Sequence, residues 1–268
     1  MSGLLLGKLN SWANFEKCVL EIIILALEML NKSSSLPLIE DAQKGDSLNR
    51  RLDICIRRAI LEWEKINETD IATSPKLNLK KQPDLENEQV FEDYEIKKPD
   101  FQWEFRDRLG KKDNLNSIFK NYEIECKRLG KKDISGRSFV AEYVNKGILR
   151  FTTSTHRYGQ FTSSGAMIGY VQDMELQDIL NEVNSFAVSA SLPEILLSPE
   201  GWKVETSILE HRLDRLDVQP TQFDLRHLWL DMRNNYENNA SPPVKKQTAK
   251  NRSRQVKKTE SSKTIQSN

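Results

Sequence analysis

Residues 99–127 read PDFQWEFRDRLGKKDNLNSIFKNYEIECK, and two segments of this stretch alternate with a period of two. In the first, Phe101, Trp103 and Phe105 fall on one side, and Asp100, Gln102, Glu104 and Arg106 on the other. In the second, Tyr122, Ile124 and Cys126 share a side, opposite Glu123, Glu125 and Lys127. Strict alternation is the signature of a strand with one buried face. Gly110 to Asn114 supplies turn residues between the two. If the strands are neighbours in matching register, Asp100, Glu125 and Lys127 converge above one sheet face. Two ionised carboxylates at short range repel each other. A hard divalent cation removes that penalty, and oxygen donors suit Mg²⁺ or Mn²⁺, with the Cys126 backbone carbonyl as a further ligand. A cation so held polarises a phosphoryl oxygen, and Lys127 is placed to orient water or to stabilise developing charge. The expected chemistry is phosphodiester hydrolysis. The plainer alternative makes Glu123, Glu125 and Lys127 the solvated face of an edge strand and Asp100 a turn residue after Pro99.

Working outward, the spacing predicts helices over 11–31 and 47–66. The first is apolar around most of its circumference, with Glu16, Glu21 and Glu28 as exceptions, and such a helix is buried in its own domain or against a second copy. The second places Leu48, Leu52, Ile56, Ile60 and Trp63 at helical spacing, with Asp46 or Ser47 as the cap. Residues 67–89 are polar, include Pro75 and Pro83, and read as a connector. Downstream, 135–149 reads as a helix and the glycine-bounded run 165–171 as a buried strand. Residues 176–188 read as a helix, and 202–212 with 222–230 as a strand pair around a turn near 217–220.

The bulk composition excludes little. Hydrophobic residues make up 38% and charged residues 29%, and the net charge of +1 hides an asymmetry. Residues 240–268 hold eight Lys or Arg and one acid, leaving 32 basic against 38 acidic residues in the rest. Any nucleic-acid partner must therefore be argued from a site rather than from bulk charge. Residues 234–268 are poor in large apolar side chains and are expected to be a disordered basic tail. Three cysteines without regular spacing argue against a disulfide framework, and no Cys/His spacing fits zinc. The apolar run 18–30 is too short to cross a bilayer and contains Glu21 and Glu28. No signal peptide is read, so a cytoplasmic protein with no membrane partner is the expectation. His211 and His227 are expected to pack across the C-terminal strand pair, and Trp202 and Trp229 to be core aromatics.

Pro99-Asp100 followed by Glu125-Cys126-Lys127 resembles the PD-(D/E)xK signature of restriction-endonuclease-like nucleases. The order helix, strand, strand with the acid, strand with ExK, helix, strand also resembles that family's core. So do Glu142-Tyr143-Val144, Gly147-Ile148, Arg150-Phe151, Tyr158-Gly159 and 167–171, in the manner of bacterial restriction or phage-defence members. A second pair, Pro83-Asp84 with Glu95-Ile96-Lys97, also satisfies the pattern. It is rejected because Asp84 sits in a polar stretch without alternation and no helix and buried strand follow Lys97 directly.

The resemblance implies a metal-dependent endonuclease acting on DNA, less readily RNA, in restriction or antiviral defence, as a homodimer or within a larger defence complex. It implies catalytic Asp100, Glu125 and Lys127, a metal on Asp100, Glu125 and the Cys126 carbonyl, and a fourth acid from an upstream helix, Glu62 or Glu64. Arg150 and Tyr158 are expected at the phosphate backbone. The expected architecture is α/β, a restriction-endonuclease-like core with a mixed sheet of about four to five strands flanked by helices. The expected boundaries are a helical segment over 1–66, a connector over 67–89, an α/β domain over 90–233 with a small β-rich C-terminal extension, and the tail over 234–268. The rival from another class is a non-catalytic interaction or regulatory subunit that keeps the fold.

Overall fold

The computed structural model describes residues 11–32, 45–68, 71, 73–78, 98–108, 110 and 115–234. The rejected Asp84/Glu95–Lys97 pair, with all of 79–97, and the basic tail from 235 onward lie outside the described residues. Helix α1 (Trp12–Lys32) buries Phe15, Val19, Ile22, Ile23, Ala26, Leu27 and Leu30. Its apolar stripe is consumed within the chain, against α2 (Gly45–Asn67) and one face of the sheet. Asp46 and Ser47 fall in the first turn of α2 rather than before it.

The sheet comprises β1 (Lys76–Leu77), β2 (Phe101–Arg106), β3 (Phe119–Leu129), β4 (Ser164–Val171), β5 (Leu196–Leu197), β6 (Thr206–Asp214) and β7 (Gln222–Asp231). A single turn of helix, α3 (Leu115–Ile118), precedes β3. The spatial order is β1-β2-β3-β4-β7-β6-β5, seven strands in one mixed sheet. Pairings β1–β2, β2–β3, β5–β6 and β6–β7 are antiparallel, and β4 runs parallel to both β3 and β7. Lying between two parallel neighbours, β4 is buried at all eight positions, which explains its unbroken apolar run.

The strand count exceeds the four to five expected, for two reasons. The expected C-terminal hairpin is not an appendage: β7 docks along the whole of β4 and carries β6 and β5 into the same sheet. The two-residue strand β1 lies inside 67–89, where composition suggested only a connector. Neither the partner of a strand nor so short a strand leaves a periodic signal.

Helices cover both faces. One layer is α1 and α2, packed on Phe101, Trp103, Ile124, Ile168 and Leu228. The other is α4 (Phe139–Tyr143), a π turn (Val144–Ile148), α5 (Leu149–Thr152) and α6 (Leu176–Ser189), packed on Met167, Leu209, Leu225 and Trp229. The helix expected over 135–149 therefore starts later and ends later. Ser138 caps it, its Oγ accepting from Ala141 N at 3.1 Å. Residues 133–137 form instead a turn closed on Asp133.

Candidate active site

The register of β2 on β3 determines where the acids meet. Phe101 faces Ile124 and Gln102 faces Glu123, so Asp100 lies one step past the last pair, beside Glu125 and Cys126. Phe101, Trp103, Tyr122 and Ile124 turn to the α1/α2 core, and the alternate positions face the other layer. Asp100 Oδ2 accepts from the Cys126 N–H at 2.7 Å, which ties the start of β2 to the middle of β3. The Asp100 and Glu125 side chains are both buried.

Glu125 is held by two cations. Lys127 Nζ makes a short contact to Glu125 Oε1 and also donates to the Cys126 carbonyl at 3.2 Å. Arg150 Nη1, from α5, donates to the same Oε1 at 2.7 Å and reaches the Tyr158 hydroxyl at 3.4 Å. Burial by itself would lower the Arg150 pKa; the Glu125 carboxylate overrides that and the net shift is upward. Glu125 Oε2, by contrast, is buried with no hydrogen-bond partner. A carboxylate oxygen out of water without a donor is costly, and a bound cation would satisfy it.

Glu123, two residues back on the same face, has its own partners. Its Oε2 accepts from Gly159 N at 2.5 Å and its Oε1 from Gln102 Nε2 at 3.2 Å. Burial raises its pKa to about 7 despite those bonds. The Gly159 loop is braced by Arg215, buried at 1% exposure, whose guanidinium donates to the carbonyls of Phe151, Tyr158, Gly159 and Pro220.

A cavity of about 750 Å³ opens beside Asp100, Cys126, Lys127 and Arg150. Asp46, Ser47, Asn49 and Arg50 of α2 close it on one side. Arg128, Arg137, Phe139, Glu142 and Lys146 close it on the other. The bond from Tyr170 Oη to Asn49 Oδ1, 3.0 Å, seats the start of α2 over the sheet.

Asp100, Glu125, Lys127 and Arg150 are thus brought together, and Tyr158 supports the group from behind, buried at 1% exposure. Glu62 and Glu64 stand near the end of α2, away from its cavity-lining first turns; Glu62 is exposed and Glu64 Oε1 accepts from Ile71 N at 2.9 Å. The α2 acid that lines the cavity is Asp46, read from sequence only as a helix cap. Arg128, Arg137 and Lys146 were also missed as cavity residues. No periodicity marks them, because they converge from a strand end, a turn and a helix.

Among the described residues no three His, Cys, Asp or Glu side chains gather to hold a metal. The donors available to a cation are the Asp100 and Glu125 carboxylates and the Cys126 carbonyl. These are the hard oxygens that Mg²⁺ or Mn²⁺ prefers, and the unpartnered Glu125 Oε2 fits that role. Comparison with protein-family models, with curated proteins and with solved structures finds no match for this chain.

Proposed function

We propose that this protein is a metal-dependent nuclease that hydrolyses phosphodiester bonds, with DNA as the preferred substrate and RNA as the alternative. The observation that carries the reading is the meeting of buried Asp100 and Glu125 with Lys127 beside a cavity lined by further cations. The sequence resemblance to PD-(D/E)xK enzymes supports it, as does the order of elements around the site: helices, two antiparallel strands bearing the acids, a helix, and a strand parallel to β3. Restriction or antiviral defence, in the cytoplasm, is the setting that resemblance favours.

Asp100, Glu125 and the Cys126 carbonyl would hold Mg²⁺ or Mn²⁺, whose contribution when bound is Lewis-acid polarisation of the scissile phosphate and activation of water. The chain's own residues do the rest. Lys127 donates to the charge that develops on the phosphorus oxygens and orients the attacking water. Arg150 pins the Glu125 carboxylate through Oε1, leaving Oε2 as the oxygen that lacks a partner. Arg128, with Arg137 and Lys146 in excess over the single Glu142 that pairs with both, draws a polyanion into the cavity. Cutting both strands of a duplex calls for two such sites, so a homodimer, alone or in a larger complex, is the assembly this reading favours.

The test is nicking of supercoiled plasmid. Purified protein nicks with Mg²⁺ or Mn²⁺ and not with EDTA, and Lys127→Ala lowers the rate by about 10²–10³-fold, the usual cost of losing a group that stabilises transition-state charge. Nicking that survives both Lys127→Ala and Asp100→Ala refutes the site. A parallel digestion of RNA separates the two substrates. The rival reading, a non-catalytic interaction subunit, draws on one observation: Lys127 and Arg150 already neutralise Glu125 without any metal. Intact plasmid under every metal condition would favour it.

A further inference from the structure

Directly after the Lys127 strand come residues 130–138 (GKKDISGRS), of which Arg137 lines the cavity. At their tip Ile134 is fully solvent-exposed, at 110% of its reference area, the largest value among the exposed large hydrophobics of the described residues. An isolated exposed isoleucine is ordinary. This one is presented on a turn with internal bonding. Asp133 Oδ1 accepts from Ser135 N at 2.9 Å and Arg137 N at 3.1 Å, and also from the Ser135 hydroxyl. Asp133 N donates to the Arg137 carbonyl, and Gly136 N to the Asp133 carbonyl. At the base, Lys131 N donates to Asp173 Oδ1 at 2.7 Å.

The surroundings hold more basic than acidic side chains, with Glu142 paired to both Arg137 and Lys146. Between Lys127 and Arg137 there are five basic residues and one acid, and that acid, Asp133, is engaged in the turn. Lys131, Lys132 and Arg137 are exposed. Arg128 and Arg137 bracket Phe139, their Cζ atoms 4.3 and 5.6 Å from the ring centroid, and all three residues line the cavity. One apolar side chain among cations is too small for a protein interface, which needs on the order of 1,200 Å². It does match a base stack flanked by phosphates, the surface that apolar wedges enter in DNA-bending proteins.

We propose that this loop is a DNA wedge: Ile134 enters a base step of duplex DNA while Lys131, Lys132, Arg128 and Arg137 hold the flanking phosphates and lead the strand into the cavity. The inference rests on the nuclease reading for the identity of the polyanion, and adds to it that the enzyme distorts a duplex before cutting. It also assigns the loop a role apart from the residues that hold Glu125.

The experiment uses the full chain and duplex oligonucleotides in which adenines are replaced at intervals by 2-aminopurine, with Ca²⁺ in place of Mg²⁺ so that binding is seen without turnover. Wild type raises 2-aminopurine fluorescence as bases unstack. Ile134→Ala and Ile134→Gln lose that rise and bind about tenfold more weakly, in line with the unstacking role. Their melting temperatures match wild type because the side chain is exposed. Lys131→Ala with Lys132→Ala keeps the rise at low salt but flattens the slope of log affinity against log salt by about 2. The proposal is overturned if wild type binds duplex with no rise, if it does not bind duplex, or if both Ile134 variants match it. Plasmid nicking with unaltered Ile134 variants would remove the wedge and leave the nuclease. Loss of the fluorescence rise in the variants of a protein that never nicks plasmid would do the reverse.

Discussion

Glu125 places two cations on one of its oxygens and none of the described donors on the other. Removing Arg150 therefore strips half of the compensation from a carboxylate whose side chain is 1% exposed. Arg150→Ala should lower stability by up to about 3–5 kcal/mol in urea unfolding, the range for breaking a buried pair. If a cation belongs at this site, millimolar Mg²⁺ should restore part of that loss, and a second change, Glu125→Gln, should abolish the Mg²⁺ response. A thermal shift reads this without any substrate. Gly159 is a residue of a different kind. Its φ of +68° lies in the left-handed region, and a Cβ there would stand 2.3 Å from the Phe223 ring. Gly159→Ala should cost about 1–3 kcal/mol through backbone strain and overpacking, and should weaken the Gly159 N–H bond that holds Glu123.

The π turn and the strands it faces form an element with a pH-sensitive interior. Trp229 Nε1 donates to Tyr143 Oη at 3.0 Å, and that hydroxyl lies 2.8 Å from His227 Nδ1. The Tyr143 hydroxyl thus ties the Trp229 indole and the His227 imidazole together, the tautomer of His227 setting which of Tyr143 and His227 donates. His211 Nε2 donates to the Pro193 carbonyl at 2.9 Å, and the two imidazoles lie 5.5 Å apart. Burial pushes His211 down to about 4 and His227 well below its ordinary value, to which the neighbouring His211 adds. Both are therefore neutral in the native protein at pH 6, where unfolded chains begin to protonate. The contribution of His211 is present above its unfolded pKa of about 6.5 and is lost as pH falls toward about 4, at up to about 1.4 kcal/mol per pH unit, and that of His227 is lost in the same direction. Calorimetry between pH 7.5 and 5 should show the melting temperature falling, and His211→Gln should make that fall shallower. Tyr143→Phe should cost about 2–3 kcal/mol at neutral pH, because it leaves the buried Trp229 and His227 nitrogens unpaired.

At the scale of the whole molecule, β7 belongs to both cores: Leu228 and Leu230 face the α1/α2 layer, and Leu225 and Trp229 face the α4–α6 layer. A chain ending before β6 exposes one complete side of β4 and removes these four side chains, each contributing about 1.5–3 kcal/mol of burial. Such a truncation should show no cooperative unfolding transition, whereas a chain ending after Asn234 should melt near the full-length protein. Much of this architecture was legible beforehand. The helices at 12–32, 45–67 and 176–189 and the strands β2, β3 and β7 declare themselves by hydrophobic spacing, and β4, buried at every position, by an unbroken apolar run. The start of α4 was misread because the Asp133 turn and the Ser138 cap compete with helix through side-chain bonds that hydrophobic spacing does not register. Within the site, Asp100, Glu125 and Lys127 were legible because alternation places them on one face. Arg150 was expected at the phosphate backbone; that its guanidinium grips Glu125, 25 residues earlier in the chain, no local pattern announced.

The order of residues alone determined that two half-buried strands would carry acids and a lysine on one polar face, because side-chain direction along a strand follows from backbone geometry. Tertiary structure decided the rest: which strands became neighbours, that the C-terminal hairpin would complete the central sheet, and that Asp46, Arg128, Arg137 and Arg150 would line one cavity with Asp100 and Lys127. Those outcomes depend on pairing between segments distant in sequence, where the free energy of closing and packing the whole sheet, rather than any local pattern, selects the partner.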